Sequence, residues 1–253
     1  MNILQLSADT TRRKYGMRPY KDKIRFQLAF NSTGAYDLIT NAPVTISHPT
    51  QITLDTTKKM VGEAGSLKFS GQDGTSATLP NNVSYLPGSG DFTYEAVFDF
   101  SSIKHQPADN SYLIPLLSWQ TWSAPGQLRN LDVCYLTNST RTSGRLFFGG
   151  VSINTPAATV NCPPLTANST IHLAVVRKSG NVSFYINGTR ISVPASWTVD
   201  LVNSVVRPVR LGQRLGGGSG NVYWQLVGNI LGMRIIHQAI YEGETFQVPT
   251  TFR

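Results

Sequence analysis

The 253-residue chain is 14% charged and 10% aromatic, with 22 glycines, 14 prolines and a formal net charge of +8. That length holds one large all-β domain with an ample core, and the scarcity of charge beside many turn-forming residues excludes a long-helix protein. The charge is uneven: residues 1–25 hold seven cations and two acids, the remainder 15 and 12, so the body is too mildly basic for a nucleic-acid-binding face spread over a sheet.

Residues 1–23 read as a basic N-terminal arm. Ile3, Leu4 and Leu6 form an apolar patch, and Arg12, Arg13 and Lys14 precede Tyr15 and Tyr20. The start lacks the basic-then-apolar order of a secretory signal, and no run is apolar enough to span a bilayer, so no membrane partner is expected. The arm is predicted to dock on another protein. Its apolar residues can add to a sheet edge or groove, and its cations pair with an acidic surface. A disordered segment and a grip on nucleic acid through phosphates and stacking are the alternatives.

The body is predicted over 24–253. Ile24, Phe26, Leu28 and Phe30 alternate with Arg25, Gln27 and Ala29, marking its first strand. Segments 52–54, 66–70, 76–79 and 92–100 follow, divided by Gly, Pro, Asp and Asn clusters. In the last, Tyr94, Ala96, Phe98 and Phe100 take one face, and Thr93, Glu95, Val97 and Asp99 the other, read as solvated. Strands continue at 113–119, 131–136 and 145–148. The clearest folding instructions lie in 169–194, read as three antiparallel strands: Ile171, Leu173 and Val175 alternate with His172, Ala174 and Val176, and Val182, Phe184 and Ile186 with Ser183, Tyr185 and Asn187. Asn187-Gly188 is the preferred pair for a two-residue type I′ turn, because both central residues need positive φ. A Gly-rich loop at 215–221 precedes the closing strand, 232–236.

The run IleHisLeuAlaValValArg, a short gap, then ValSerPheTyrIleAsnGly resembles the central hairpin of concanavalin A-like jelly rolls of the laminin-G-like (LamG-like) type. GlySerLeuLysPhe at 65–69 and AspPheThrTyrGlu at 91–95 resemble that type's early strands, and 208–212 with 226–235 its closing pair. The resemblance covers roughly Ile24 to the C-terminus and implies an all-β antiparallel sandwich. The ending HisGlnAlaIleTyrGluGlyGluThrPheGlnValProThrThrPheArg resembles the closing segment of LamG-like domains in tailed-phage virion proteins, which implies a capsid-decorating or tail-associated particle component.

Chemistry-bearing residues are sparse. Glu95 and Asp99 lie about 13 Å apart along one strand face. The glucanases of this fold use a Glu-x-Asp-x-Glu strand, which is absent here, so the pair reads as two polar residues rather than as a glycosidase acid and base. His48, His105, His172 and His237 lack metal-ligand spacing and read as structural. Calcium binds at the rim of some laminin-G relatives, but Asp73, Asp91, Asp109 and Asp132 stand isolated from one another, and no metal or cofactor is expected. Cys134 and Cys162 allow one bridge; two reduced thiols are the expectation, since nothing marks an oxidising compartment. Six Asn-x-Ser/Thr sequons are ascribed to chance in a chain this rich in Asn, Ser and Thr. Trp119 and Trp122 lead into a loop, and Tyr223 and Trp224 follow the Gly-rich one; beside Asn, Gln and Arg, such aromatics are what sugar rings stack on, whereas the bland alternative makes them core and rim residues. The expectation is therefore a non-enzymatic virion protein, assembled in the host cytoplasm and homo-oligomeric in the particle. Its arm would dock on other virion proteins, and Trp119, Trp122, Tyr223 and Trp224 would meet host-surface glycan. A lectin-type module outside a virion is the alternative, and a glycosidase the third reading.

Overall fold

Asn187 and Gly188 have φ of 50° and 77°, and Ile186 pairs directly with Thr189, so the Asn-Gly turn is the two-residue hairpin its chemistry demands. Ser179 and Gly180, at 49° and 77°, make a second such turn between Lys178 and Asn181. In the computed structural model, the described residues are 20–72, 75–79, 82–106, 111–120, 130–137, 142–150, 158–191, 195–197, 209–215 and 223–252. Among them the strands are, in chain order, β1 (Ile24–Asn31), β2 (Gly34–Asp37), β3 (Thr45–Ile46), β4 (Ile52–Asp55), β5 (Ser66–Ser70), β6 (Ala77–Thr78), β7 (Phe92–Ser102), β8 (Lys104–Gln106), β9 (Ser111–Gln120) and β10 (Asn130–Thr137). They continue as β11 (Gly144–Gly150), β12 (Ala158–Cys162), β13 (Ile171–Lys178), β14 (Asn181–Ile186), β15 (Thr189–Arg190), β16 (Ala195–Ser196), β17 (Val209–Leu211), β18 (Gln213–Leu215), β19 (Tyr223–Gln225) and β20 (Val227–Ile236). Only two single 3-10 turns, Lys21–Lys23 and Val83–Tyr85, interrupt them among the described residues.

The protein is an all-β antiparallel sandwich of the jelly-roll kind. One sheet runs β15-β14-β13-β7-β20-β1-β2, with β16 added to β14 and the β4–β5 pair added to β20. The other runs β12-β11-β10-β9-β17-β6-β3, with β8 beside β9; β18 and β19 form a hairpin of their own. The alternation read from sequence holds on the inner faces. Phe26, Leu28 and Phe30 of β1, Tyr94, Ala96, Phe98 and Phe100 of β7, and Leu173 and Val175 of β13 all enter one core. Phe148 of the second sheet meets Phe92 and Tyr94 of the first at 5.1 and 5.6 Å between ring centroids, and Trp197 edge-on at 5.0 Å. The third strand of the 169–194 meander is short among the described residues. β15 covers Thr189–Arg190, with Ile191 N–H still bonded to the carbonyl of Phe184; 192–194 lie outside the described residues, and β16 pairs with the other end of β14's edge.

The face expected to be solvated is buried. Thr93, Glu95, Val97 and Asp99 are each at most 5% exposed. The chain after β20 runs back over this outer face as a strap: Thr93 Oγ1 donates to the carbonyl of Gln238 and accepts from Ile240 N–H, and Phe246 N–H bonds the carbonyl of Gly188. Phe252 joins Val97, Leu231 and Met60 in one outer cluster; Tyr241 and Phe246 close over Ala174, Val176 and Tyr185 in another. The sheet is thus sandwiched between the other sheet and its own C-terminal segment. Cys134 and Cys162 are both buried, unbridged thiols, and burial pushes that of Cys162 up to about 11.

Candidate functional site

Glu95 sits at the centre of the strapped face. Cross-strand register sets it opposite Ala174 of β13 and Arg234 of β20. Arg234 Nε donates to Glu95 Oε1; His172 Nε2–H and the Tyr241 hydroxyl both donate to Oε2, at 2.9 and 2.8 Å. The guanidinium of Arg234 lies 4.5 Å from the Phe252 ring and 5.7 Å from that of Tyr20. Burial alone would raise the Glu95 pKa, but the Arg234 charge and these hydrogen bonds hold it well below the usual carboxylate range. The same pairing raises Arg234 above its ordinary value, and burial beside Glu95 raises Tyr241. Asp99 is held in turn by Lys58 Nζ at 2.8 Å and by the N–H of Asn229 at 3.1 Å. Both carboxylates are thus buried and paired with cations. The sequence reading missed this, though His172, Ala174, Val176 and Tyr185 on one outer face signal a cover.

Arg177 is a second buried cation, 1% exposed at the start of β7's partner ladder. It lies 4.7 Å from the Phe92 ring and 5.6 Å from Trp197, and donates to the carbonyls of Gly88 and Gly90. It fastens the 88–90 loop to the core end of the sandwich.

The described backbone positions among the four aromatics, Trp119, Tyr223 and Trp224, stand at different ends of β9. Trp119 stands near the end of β9, with its backbone opposite Leu131 of β10 and Val209 of β17. From Val209 the chain runs antiparallel to β9; Gly212 N–H reaches the carbonyl of Leu116, and β18 carries on towards the start of β9. There β19 packs beside β8, which pairs with 111–113. Tyr223 and Trp224, opposite Leu215 and Arg214, therefore lie towards the other end of β9 from Trp119. Trp122 lies outside the described residues, as do Ile3, Leu4, Leu6, Arg12, Arg13 and Lys14 of the arm. The last residues assigned to that arm rest on the body: His237 N–H bonds the carbonyl of Lys23, and Tyr20 covers Arg234.

A polar row the sequence reading did not single out crosses the outer face of the second sheet. Register aligns Thr45 of β3, Thr78 of β6, Arg210 of β17 and Ser118 of β9. Their neighbours Ala77, Leu117, Val209 and Leu211 belong to the core, so alternation turns the row away from it. Thr45 is exposed, Thr78 and Arg210 half-buried and Ser118 buried. Hydroxyl and guanidinium groups in such a row can hydrogen-bond a polyhydroxylated or anionic ligand; they hold no metal, and no cluster of His, Cys, Asp or Glu that could is found among the described residues.

No family model and no curated protein matches the chain. Solved structures do. The fold is similar to part of the Trypanosoma rangeli sialidase, at 14% identity and a TM-score of 0.55, over 87% of this chain and 31% of that one. It is likewise similar to the receptor-binding domain of botulinum neurotoxin D, at 12% identity and 0.55, over 87% of this chain and 50% of that one. The CBM40 of the Ruminococcus gnavus IT-sialidase gives 14% identity and 0.46, over 61% and 79%. The chain thus spans about a third of the sialidase and half of the toxin domain, and at such identities what it shares with them is the jelly-roll sandwich fold.

Proposed function

We propose that the protein is a non-enzymatic component of a tailed-phage particle, a β-sandwich that adheres to surface sugars and is docked on neighbouring virion proteins by its basic arm. The burial and pairing of Glu95 and Asp99 supports the non-enzymatic part: Glu95 lies under the strap, paired with Arg234, and Asp99 is buried and paired with Lys58. Sugar adhesion draws on the polar outer face of the second sheet and on the fold shared with the Trypanosoma rangeli sialidase. The virion assignment rests on the resemblance of residues 237–253 to the closing segment of phage LamG-like domains. The test has two arms. Purified particles probed for the protein should contain it, and residues 20–253, which keep Tyr20 on Arg234, should fold as the full chain does but fail to join particles lacking it. A glycan array probed with the full chain should show binding. Absence from particles leaves the lectin-type module outside a virion, and release of sugar from a bound polysaccharide would overturn the non-enzymatic reading.

A further inference from the structure

Arg210 is joined to a buried polar chain at the corner where β17 passes into β18. Its Nη1 donates to Gln213 Oε1 at 2.9 Å, which fixes the oxygen end of that amide. Gln225 stands directly opposite Gln213, and its Nε2 donates to the carbonyl of Thr75 and, at 2.6 Å, to Thr75 Oγ1. That fixes the second amide equally. Both glutamines are 1% exposed, yet Gln213 Nε2 and Gln225 Oε1 have no partner among the described residues. Buried amide atoms are ordinarily paired, and leaving one unmade is the expensive arrangement.

The two orphans are complementary. One is a donor and the other an acceptor, on facing residues of one hairpin, and the group that satisfies both is a hydroxyl, which accepts and donates at once. The half-buried Thr78, directly opposite Arg210, and the buried Ser76, next to Thr75, carry groups of the same kind. Thr78 Oγ1 and Ser76 Oγ, and Ser76 Oγ and Ser47 Oγ, lie within 3.4 Å of one another, and the exposed Ser47 and Thr45 border them. Thr45, Thr78 and Arg210 occupy three adjacent strands, a width of about 10 Å and so of one or two sugar rings. The β18–β19 hairpin is a two-stranded sheet of its own, tied to its surroundings by Gly212 N–H on the Leu116 carbonyl and by Gln225 on Thr75.

We propose that this corner is a sugar site: a pyranose with adjacent hydroxyls lies on Thr78 and Arg210 and inserts one hydroxyl between Gln213 Nε2 and Gln225 Oε1. The inference rests on the glycan-adhesion reading and gives it a place that differs from the aromatic loops. The test is nuclear magnetic resonance on the 15N-labelled full chain, titrated with methyl α-D-glucopyranoside, methyl α-D-galactopyranoside, N-acetylglucosamine and host envelope polysaccharide. At least one of these should shift the side-chain amide signals of Gln213 and Gln225 saturably. Arg210→Ala should weaken binding tenfold or more and Thr78→Val severalfold, with Arg210→Lys as the variant that keeps the charge and the fold. Binding that moves tryptophan indole signals, leaves both glutamine amides still and is untouched by Arg210→Ala overturns the site while the glycan reading stands. A long-lived water on the Gln213 amide that no bound sugar displaces overturns it too. Absence of binding by every probe removes the glycan reading and the site with it.

Discussion

Replacing Gly188 by alanine tests whether the strap is coupled to the hairpin it crosses. Gly188 has φ of +77°, and a Cβ there would stand 2.2 Å from the carbonyl oxygen of Phe246 and 3.2 Å from Val248 Cγ2. The contact is with backbone, so the strap itself must move. Gly62 is the control: its φ is +82°, but its Cβ would meet nothing nearer than Thr251 Oγ1 at 4.0 Å. Gly62→Ala should therefore lose only the left-handed penalty, about 1 kcal/mol. Gly188→Ala adds the loss of the Phe246 N–H bond to the Gly188 carbonyl, about 1 kcal/mol. It also disturbs the ring contacts of Phe246 with Tyr241, Tyr185 and His172, at 3.6, 5.2 and 5.6 Å, for about 1 kcal/mol more. The expected loss is about 3 kcal/mol against about 1, measured by urea unfolding. Hydrogen exchange should speed up at Arg190 and Phe246, whose N–H groups bond across the strap contact. Equal losses at the two glycines, with Arg190 and Phe246 still protected, would refute the coupling.

Stability should fall with acid in two stages. His237 is held neutral, its pKa lowered from 6.5 to about 4 by burial and the nearby Arg25 charge, so it contributes stability above pH 6.5 that is lost between 6.5 and 4. Glu95, depressed from 4.5, contributes stability that is lost as pH falls below 4.5; in urea melts across pH 8 to 3, His237→Gln should remove the upper stage alone, and an unchanged profile would sink the assignment. Arg177→Ala should destabilise by about 3 kcal/mol, through lost charge-assisted bonds to Gly88 and Gly90 and lost ring contacts. Arg177→Lys should recover little of it, because an ammonium cannot reproduce the planar fork between two rings; full recovery in thermal melts would show that only the charge matters.

The inner core was legible because a two-residue period reports it directly: Phe26, Leu28 and Phe30, or Tyr94, Ala96 and Phe98, need no knowledge of distant chain to be assigned to one face. The outer face was not, because Glu95 looks like a solvent residue until Tyr241, 146 residues later, is laid over it, and Asp99 until Lys58 and Asn229 are brought to it. Local pattern cannot show a cover that distant. The separation of Trp119 from Trp224 was hidden for a related reason. Both flank loops, but that β17 and β18 run the length of β9 is a matter of register, and register follows from pairing rather than from composition.

The place of β20 governs when this protein can fold. It lies between β7 and β1, so among the described residues the first strand of the body finds its neighbour other than β2 some two hundred residues later, in pairs such as Ile24 with Ile236. A nascent chain emerging from the ribosome can zip β13 onto β14, but β1 and β2 must wait, apolar and unpaired on one side, until almost the whole polypeptide has been made. Such distant pairing makes for slow folding and a long exposure of sticky edges. A chain cut short before residue 236 would leave its own beginning without a sheet to join.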